Sequence, residues 1–187
     1  CGAGRAPAGL LDEAEPPRGI ALERARRALG RVFEDERIAK TGHNVKYDLL
    51  VLERHGFTVR GVSFDTMIAS YVLDPGSRSL GLKAQAAALL DWQMTELADL
   101  IGSGRKQITM DAVDVDHAAA YCGADVDATI RIFDILARQL QEAGLWDLYV
   151  EVEQPLLPVL TDMEMAGVLL DLGYLAEMST RLGERLR

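Results

Sequence analysis

Apolar residues at helical spacing predict that most of this chain is helical. Between residues 22 and 33 the apolar side chains recur every three or four positions, with arginines on the other side. The same spacing predicts a long helix from Val115 to Glu142 and another from about Leu145, which Pro155 and Pro158 would kink or end. Further helices are expected at residues 66–72, 79–90 and 95–101, and from Leu172 onward.

Short apolar runs between these helices predict strands. The first is Ile38–Thr41, and further extended segments are expected at residues 57–59, 62–64 and 168–171. The first strand leads directly into a helix that ends near His55 and Gly56, where a glycine suits the C-cap. The chain therefore contains a strand-then-helix unit close to its start.

Polar side chains interrupt this unit between Gly42 and Leu52, just where it turns into the helix. A segment with only a core role would not need so many of them, namely Asn44, Lys46, Tyr47 and Asp48. On helical spacing Asn44 and Asp48 share one face, and the apolar side chains occupy the opposite, core-seeking face. This pattern predicts that an amide and a carboxylate point into a cleft beside a strand end.

A second polar pair lies on the long helix. Tyr121 and Asp125 are four residues apart and share a face, whereas Asp127 is turned away from it. A phenol and a carboxylate on the edge of a hydrophobic helix carry a desolvation cost unless something satisfies them. A metal ion with its water would satisfy them, and so would a structural hydrogen bond; the spacing alone does not choose between the two.

The composition is that of an ordinary globular protein, with a formal net charge of −9. Residues 1–60 carry 11 Lys and Arg against 9 Asp and Glu, whereas residues 61–187 carry 9 against 20, and no basic stripe for duplex binding is present. An acidic domain can still process nucleic acid if its carboxylates hold cations. Two cysteines and three isolated histidines indicate neither a disulfide framework nor a zinc site. No apolar stretch could span a membrane, so we expect no membrane partner and a cytoplasmic location.

Taken together, the motifs resemble the 3′–5′ exonuclease (proofreading) domain of bacterial DNA polymerase I, a family A polymerase. Residues 42–48, residues 64–71 and the pair Tyr121 and Asp125 match three segments of that domain. Residues 153–171 are similar to the segment that opens the polymerase domain of the same proteins. The motifs follow the family's order and spacing and cover about residues 20–187.

This resemblance implies an α/β fold of the ribonuclease-H-like type and a two-metal hydrolysis, with Mg²⁺ or Mn²⁺, of the 3′-terminal phosphodiester of DNA. By residue-to-residue match, Asp48 and Asp125 would be metal ligands and Tyr121 would orient the attacking water. The substrate would contact Asn44, Lys46 and Tyr47. The implied partners are a single-stranded or frayed DNA 3′ end and the polymerase domain of the same parent chain.

The chain departs from the family at the first exonuclease motif, an Asp-x-Glu on the first strand. Nothing before Gly42 fits it, because Glu13 and Glu15 lie in a Pro-flanked segment without an apolar strand. We therefore expect a helix-rich domain that lacks its first strands and is inactive alone. Residues 1–148 would be an N-terminally truncated exonuclease domain, and residues 149–187 the beginning of a polymerase domain.

Two other functions remain open. The domain could be a catalytically vestigial exonuclease fold that supports a polymerase, in which case the Asp-x-Glu motif would be missing from the parent protein as well. It could instead be an RNA-trimming exonuclease of the ribonuclease D type, which resembles the same motifs. The tract from Gln154 to Asp171 argues against this last alternative, because a polymerase-like continuation has no place there.

Overall fold

The computed structural model describes residues 20–186 and shows a helix-rich α/β fold. Predictions for residues 1–19, including those on Glu13 and Glu15, lie outside the described residues. In chain order the elements are α1 (Leu22–Glu34), β1 (Lys40–Gly42), α2 (Val45–Arg54), β2 (Val62–Asp65), α3 (Thr66–Leu73), α4 (Leu82–Leu90), α5 (Leu97–Ile101), α6 (Val115–Glu142), α7 (Trp146–Leu148), a π-helical turn (Tyr149–Glu153), α8 (Gln154–Ala166) and α9 (Leu172–Arg185).

The helical periodicity predicted most of these elements correctly. The long helix has the expected bounds, Val115 to Glu142, whereas α4 and α5 each begin a few residues later than expected. The strand predicted at residues 57–59 is wrong, because these residues form no strand, whereas residues 168–171 lie outside any helix and Asp171 has an extended backbone. The apolar side chain of Phe57 packs against α1 instead of joining a sheet. It is buried, and its ring meets the ring of Phe33 edge to face at a centroid distance of 5.7 Å.

The two described strands lie parallel, with Thr41 opposite Phe64 and Gly42 opposite Asp65. Their carboxyl ends therefore reach the same edge, and α2 and α3 start there. Gly61 allows the chain to enter β2, because it has a φ of +71° and a Cβ there would lie 2.7 Å from the carbonyl oxygen of Glu36. In open α/β sheets, ligands bind outside this carboxyl edge.

The core forms where α6 packs against β1, α3 and α4. Phe64 of β2 is 1% exposed, and its ring contacts the rings of Phe133 and Tyr149 at centroid distances of 4.7 and 4.8 Å. Ala69, Ala86 and Ala128 are also buried, so α3, α4 and α6 meet through small side chains. This packing holds the middle of α6 beside the end of β1.

Tyr149 ties the last part of the chain to this core. It is completely buried, and it lies in a helical stretch that continues without interruption from Trp146 to Ala166. Pro155 directly follows the π-helical turn and Pro158 lies inside α8, so the helical stretch continues through both prolines. The division between residues 148 and 149 stays a prediction. Residues 162–186 are exposed throughout, and no helix within residues 20–186 is long and apolar enough to cross a membrane.

Candidate active site

A cleft of about 600 Å³ opens beside the carboxyl end of β1. Its walls come from the β1–α2 turn, from α2 itself, and from α4 and α6. Three of the residues predicted to carry chemistry line it together: Asp48, Tyr121 and Asp125. The other lining residues include His43 and Lys83, which were not predicted to take part. The cleft is therefore the candidate active site.

Asp48 lies in the first turn of α2, where the helix macrodipole favours a carboxylate. The residue is exposed as a whole, while its carboxyl group is partly enclosed by the cleft. This partial burial raises the pKa of Asp48 above its usual value, and the negative charge of Asp65 raises it further. A bound cation would reverse both effects, since it would stabilise the charged form.

Tyr121 and Asp125 project from adjacent turns of α6, as their spacing predicted. The carboxylate of Asp125 forms an ion pair with the ammonium group of Lys83, whose Nζ also lies 4.3 Å from the centroid of the Tyr121 ring. In this structure the partner that satisfies both side chains is thus an amino group. The ion pair joins residues 42 positions apart. The only sequence signal for it is that Lys83 is the one charged residue in α4.

His43 stands in the turn between β1 and α2. Its Nδ1 lies 2.9 Å from the hydroxyl oxygen of Thr66, and that hydroxyl donates to the carbonyl oxygen of Gly42 at 3.2 Å. Because Thr66 has one hydroxyl proton, this arrangement places the imidazole proton on Nδ1. Burial lowers the pKa of His43 below its usual value, while the nearby carboxylates of Asp65 and Asp125 oppose the shift. His43 is accordingly neutral at pH 7.

Asp65 holds the two helix starts together. It is 1% exposed, and its carboxylate accepts backbone N–H bonds at the start of α2, from Asn44 at 3.1 Å and Val45 at 2.7 Å. It also caps α3 by accepting from Met67 at 2.8 Å and Ile68 at 3.2 Å. The start of α3 at this position was predicted from the sequence, whereas the bonds of Asp65 to α2 were not. This carboxylate fixes the helix that carries Asp48.

The predicted substrate-binding residues lie outside the cleft. Asn44 precedes α2 in the left-handed conformation, with φ of 59° and ψ of 49°. It therefore does not share a helical face with Asp48, and it lines a separate, mostly apolar cavity of about 310 Å³ between α3 and α8. Lys46 lines that second cavity and pairs with Glu164 of α8, while Tyr47 is 64% exposed. A role in substrate binding stays a prediction for all three.

The cleft offers ligands of the kind that a divalent cation prefers, but fewer of them than a cation needs. Asp48 and Asp125 offer the hard oxygen ligands that Mg²⁺ and Mn²⁺ prefer. Within residues 20–186, however, no three side chains of His, Cys, Asp or Glu gather closely enough to hold an ion. The described part of the chain thus supplies two carboxylates, and the ammonium of Lys83 lies against one of them.

Comparison with known proteins defines the class. A sequence model of the 3′–5′ exonuclease family matches residues 11–141. The chain therefore belongs to the 3′–5′ exonuclease family, a family of enzymes, as its motifs predicted. One relative is DNA polymerase I of Rhizobium leguminosarum, which is 39% identical over 94% of this chain and 17% of that protein. Another is DNA polymerase I of Chloroflexus aurantiacus, which is 42% identical over 96% of this chain and 19% of that protein. The chain thus spans less than a fifth of their length, and both matches extend beyond residue 141.

Solved structures confirm the ribonuclease-H-like α/β fold. The POL domain of Pol1 from M. smegmatis, in complex with DNA primer-template and dNTP, superposes with a TM-score of 0.70 at 25% identity. That match covers 86% of this chain and 25% of the other. NrnC of Brucella melitensis bound to pGG superposes with a TM-score of 0.60 at 24% identity, over 74% of this chain and 64% of that one. The likeness to NrnC concerns the fold alone.

Proposed function

We propose that this chain is part of a DNA polymerase I and that its exonuclease domain hydrolyses the 3′-terminal phosphodiester of DNA. One observation carries the proposal: in a chain of the 3′–5′ exonuclease family, Asp48 from α2 meets Tyr121 and Asp125 from α6 in a single cleft. The cleft lies beside the carboxyl end of a parallel strand, where α/β proteins bind ligands.

Each of the three residues has a role that suits its chemistry. Asp48 and Asp125 would hold divalent cations through their carboxylate oxygens. A pair of Mg²⁺ or Mn²⁺ ions, when bound, supplies Lewis-acid chemistry for an in-line phosphoryl displacement. Tyr121 has a hydroxyl that can both donate and accept a hydrogen bond, so it is suited to orient the attacking water. Further carboxylates are needed, and we propose that an Asp-x-Glu on a strand of the parent protein supplies them and that this chain alone is inactive.

The proposed substrate is a single-stranded or frayed DNA 3′ end. A chain with a net charge of −9 can accept such a polyanion only if bound cations face the phosphates. Asn44, Lys46 and Tyr47 would contact the terminal nucleotide. The polymerase domain of the same parent would be the second partner, beginning near residue 149, because the similarity to DNA polymerases I continues past the exonuclease match.

The test uses a longer protein that carries the natural residues preceding this chain, about 60 of them by ordinary domain size. Shortening of 5′-labelled single-stranded DNA, which reports the release of nucleotides from its 3′ end, is measured with and without Mg²⁺. We expect Mg²⁺-dependent release, reduced roughly a hundredfold or more by Asp48→Ala and by Asp125→Ala. The matched control is Asp134→Ala, which removes an exposed carboxylate from the same helix as Asp125 and should leave the rate unchanged. Full activity in either site variant would refute the assignment.

A vestigial scaffold is the second candidate, and two observations favour it. Lys83 already neutralises Asp125, and residues 20–186 hold no group of three metal-binding side chains. This alternative predicts that the parent lacks the Asp-x-Glu motif and that the longer protein releases no nucleotides. A ribonuclease D-type RNA exonuclease would instead degrade RNA of the same sequence faster than DNA in the same assay.

A further inference from the structure

Lys83 occupies a position that local structure does not favour for a cation. It is the second residue of α4, close to the positive end of the helix macrodipole, and it is the only charged residue between Leu82 and Leu90. Its side chain is only 19% exposed. A lysine that served solubility would point into solvent. Because this ammonium group lies inside the cleft, it needs a negatively charged partner to offset the loss of hydration.

That partner is the candidate metal ligand Asp125. The ammonium of Lys83 bonds to Oδ1 of Asp125, whose side chain is 30% exposed, and the face of the Tyr121 ring lies 4.3 Å away. The contact is set by the packing of α4 on α6, and not by proximity in the chain. The oxygen that holds Lys83 is one of the two atoms through which Asp125 could ligate a cation.

We propose that Lys83 is a tethered cation, which neutralises Asp125 when no divalent ion is present and leaves it when one binds. The inference rests on the proposed cation site. It accounts for the charge balance of the cleft, because the ammonium group of Lys83 offsets the charge of one of the two carboxylates, Asp48 and Asp125, that line the same space. Since Lys83 must be displaced, it raises the concentration of divalent ion at which the cleft fills.

Binding of Mn²⁺ to the longer protein, measured by electron paramagnetic resonance, tests this competition. Lys83→Met removes the competitor, so we expect Mn²⁺ to bind about three- to tenfold more tightly, the range that a partly exposed ion pair allows. Lys106→Met removes the same charge from an exposed position outside the cleft and should change the affinity less than twofold. Lys83→Arg keeps a cation that pairs well with a carboxylate and should not bind Mn²⁺ more tightly than the wild type.

A second measurement follows Lys83 in the wild-type protein, so it does not depend on how well a variant folds. The side-chain methylene signals of Lys83 are recorded by nuclear magnetic resonance as diamagnetic Mg²⁺ is added. We expect them to move toward the position that they have in Asp125→Asn, where the ion pair is absent. A permanent structural ion pair would leave them in place.

The possible outcomes separate this inference from the proposed function. Tighter binding by Lys83→Met together with movement of the Lys83 signals supports the tethered cation. Equal Mn²⁺ affinity in the wild type and Lys83→Met, with unmoved signals, overturns the role of Lys83 while the cation site stands. Absence of Mn²⁺ binding in both proteins at millimolar concentration overturns the inference and the cation site together.

Discussion

Asp48 and Asp65 are two aspartates in similar places with opposite environments. Each stands near the start of a helix that follows a strand of the parallel pair. Asp65 is 1% exposed, and four backbone N–H groups bond to its carboxylate. Asp48 is exposed, and no residue within 20–186 donates a hydrogen bond to its side chain. A carboxylate that the backbone satisfies is committed to the fold, whereas one that is left without donors in a cleft is free to bind a cation.

Asp125 lies between these two cases. Its carboxylate has a partner, but that partner is the flexible side chain of Lys83, which can leave without disturbing any backbone hydrogen bond. The four donors to Asp65 belong to the first turns of α2 and α3 or to the residues just before them, so they can leave only if the helix starts unfold. The kind of donor thus separates a structural carboxylate from one that can exchange its partner.

Removal of the Asp65 carboxylate should have the largest effect on stability. Asp65→Ala would leave four backbone N–H groups at the helix starts without their acceptor, one of them in a buried bond and three in partly buried ones. We expect a loss of at least about 3 kcal/mol in the free energy of unfolding, measured by urea denaturation. The control is Asp171→Ala, an exposed N-cap that accepts one bond from Tyr174 and should cost about 1 kcal/mol. Equal losses in the two variants would contradict the structural role of Asp65.

Tyr149→Phe should have the next largest effect. The phenol oxygen of Tyr149 accepts a hydrogen bond from the backbone N–H of Asp65 at 2.7 Å and donates to Gln154 at 2.8 Å. Phenylalanine keeps the ring packing but leaves a buried N–H unpaired, so unfolding should become easier by about 1–2 kcal/mol. Tyr174→Phe, at a residue that is 58% exposed, should change the stability by less than about 0.5 kcal/mol. A loss no greater than that of the control would show that this hydrogen bond does not stabilise the helix starts that Asp65 holds together.

The contrast between these aspartates also shows what the sequence can predict. Periodicity placed α6 correctly and put Tyr121 and Asp125 on one face, because a helix has a fixed repeat. It could not show that Asp65 bonds to Asn44, 21 residues away, or that Lys83 reaches Asp125, because such contacts depend on how elements pack. It also failed at residues 57–59, where the apolar side chain of Phe57 serves helix packing and not a sheet. Asn44 was misplaced because a helical face was assumed for a residue that lies just before the helix.

Acidification should lower the free energy of unfolding through His43, which bonds to Thr66, the residue after Asp65. Burial lowers the pKa of His43 below its unfolded value of 6.5, so the unfolded chain takes up a proton more readily than the folded one. The stabilisation from neutral His43 is present above pH 6.5 and is lost as the pH falls through the folded pKa. We expect stability to decline between pH 7.5 and 5.5 by less than about 1.4 kcal/mol per pH unit, the limit for one proton. His43→Gln should flatten this dependence; an unchanged slope would show that other groups cause it.

Asp48→Asn should have the smallest effect and the opposite sign. Because the pKa of Asp48 is raised above 3.8 in the folded protein, its charged form opposes folding near neutral pH. The amide has nearly the same shape without the charge, so we expect a gain of a few tenths of a kcal/mol at pH 7, modest because solvent screens an exposed group. The gain should shrink as the pH falls through the folded pKa of Asp48 and vanish below pH 3.8, where Asp48 is neutral in both states. Asp134→Asn, at an exposed position on α6, is the matched control without a gain. If Asp48→Asn instead destabilised the protein at pH 7, its carboxylate would have a structural partner as Asp65 has, and the distinction between the two aspartates would fail.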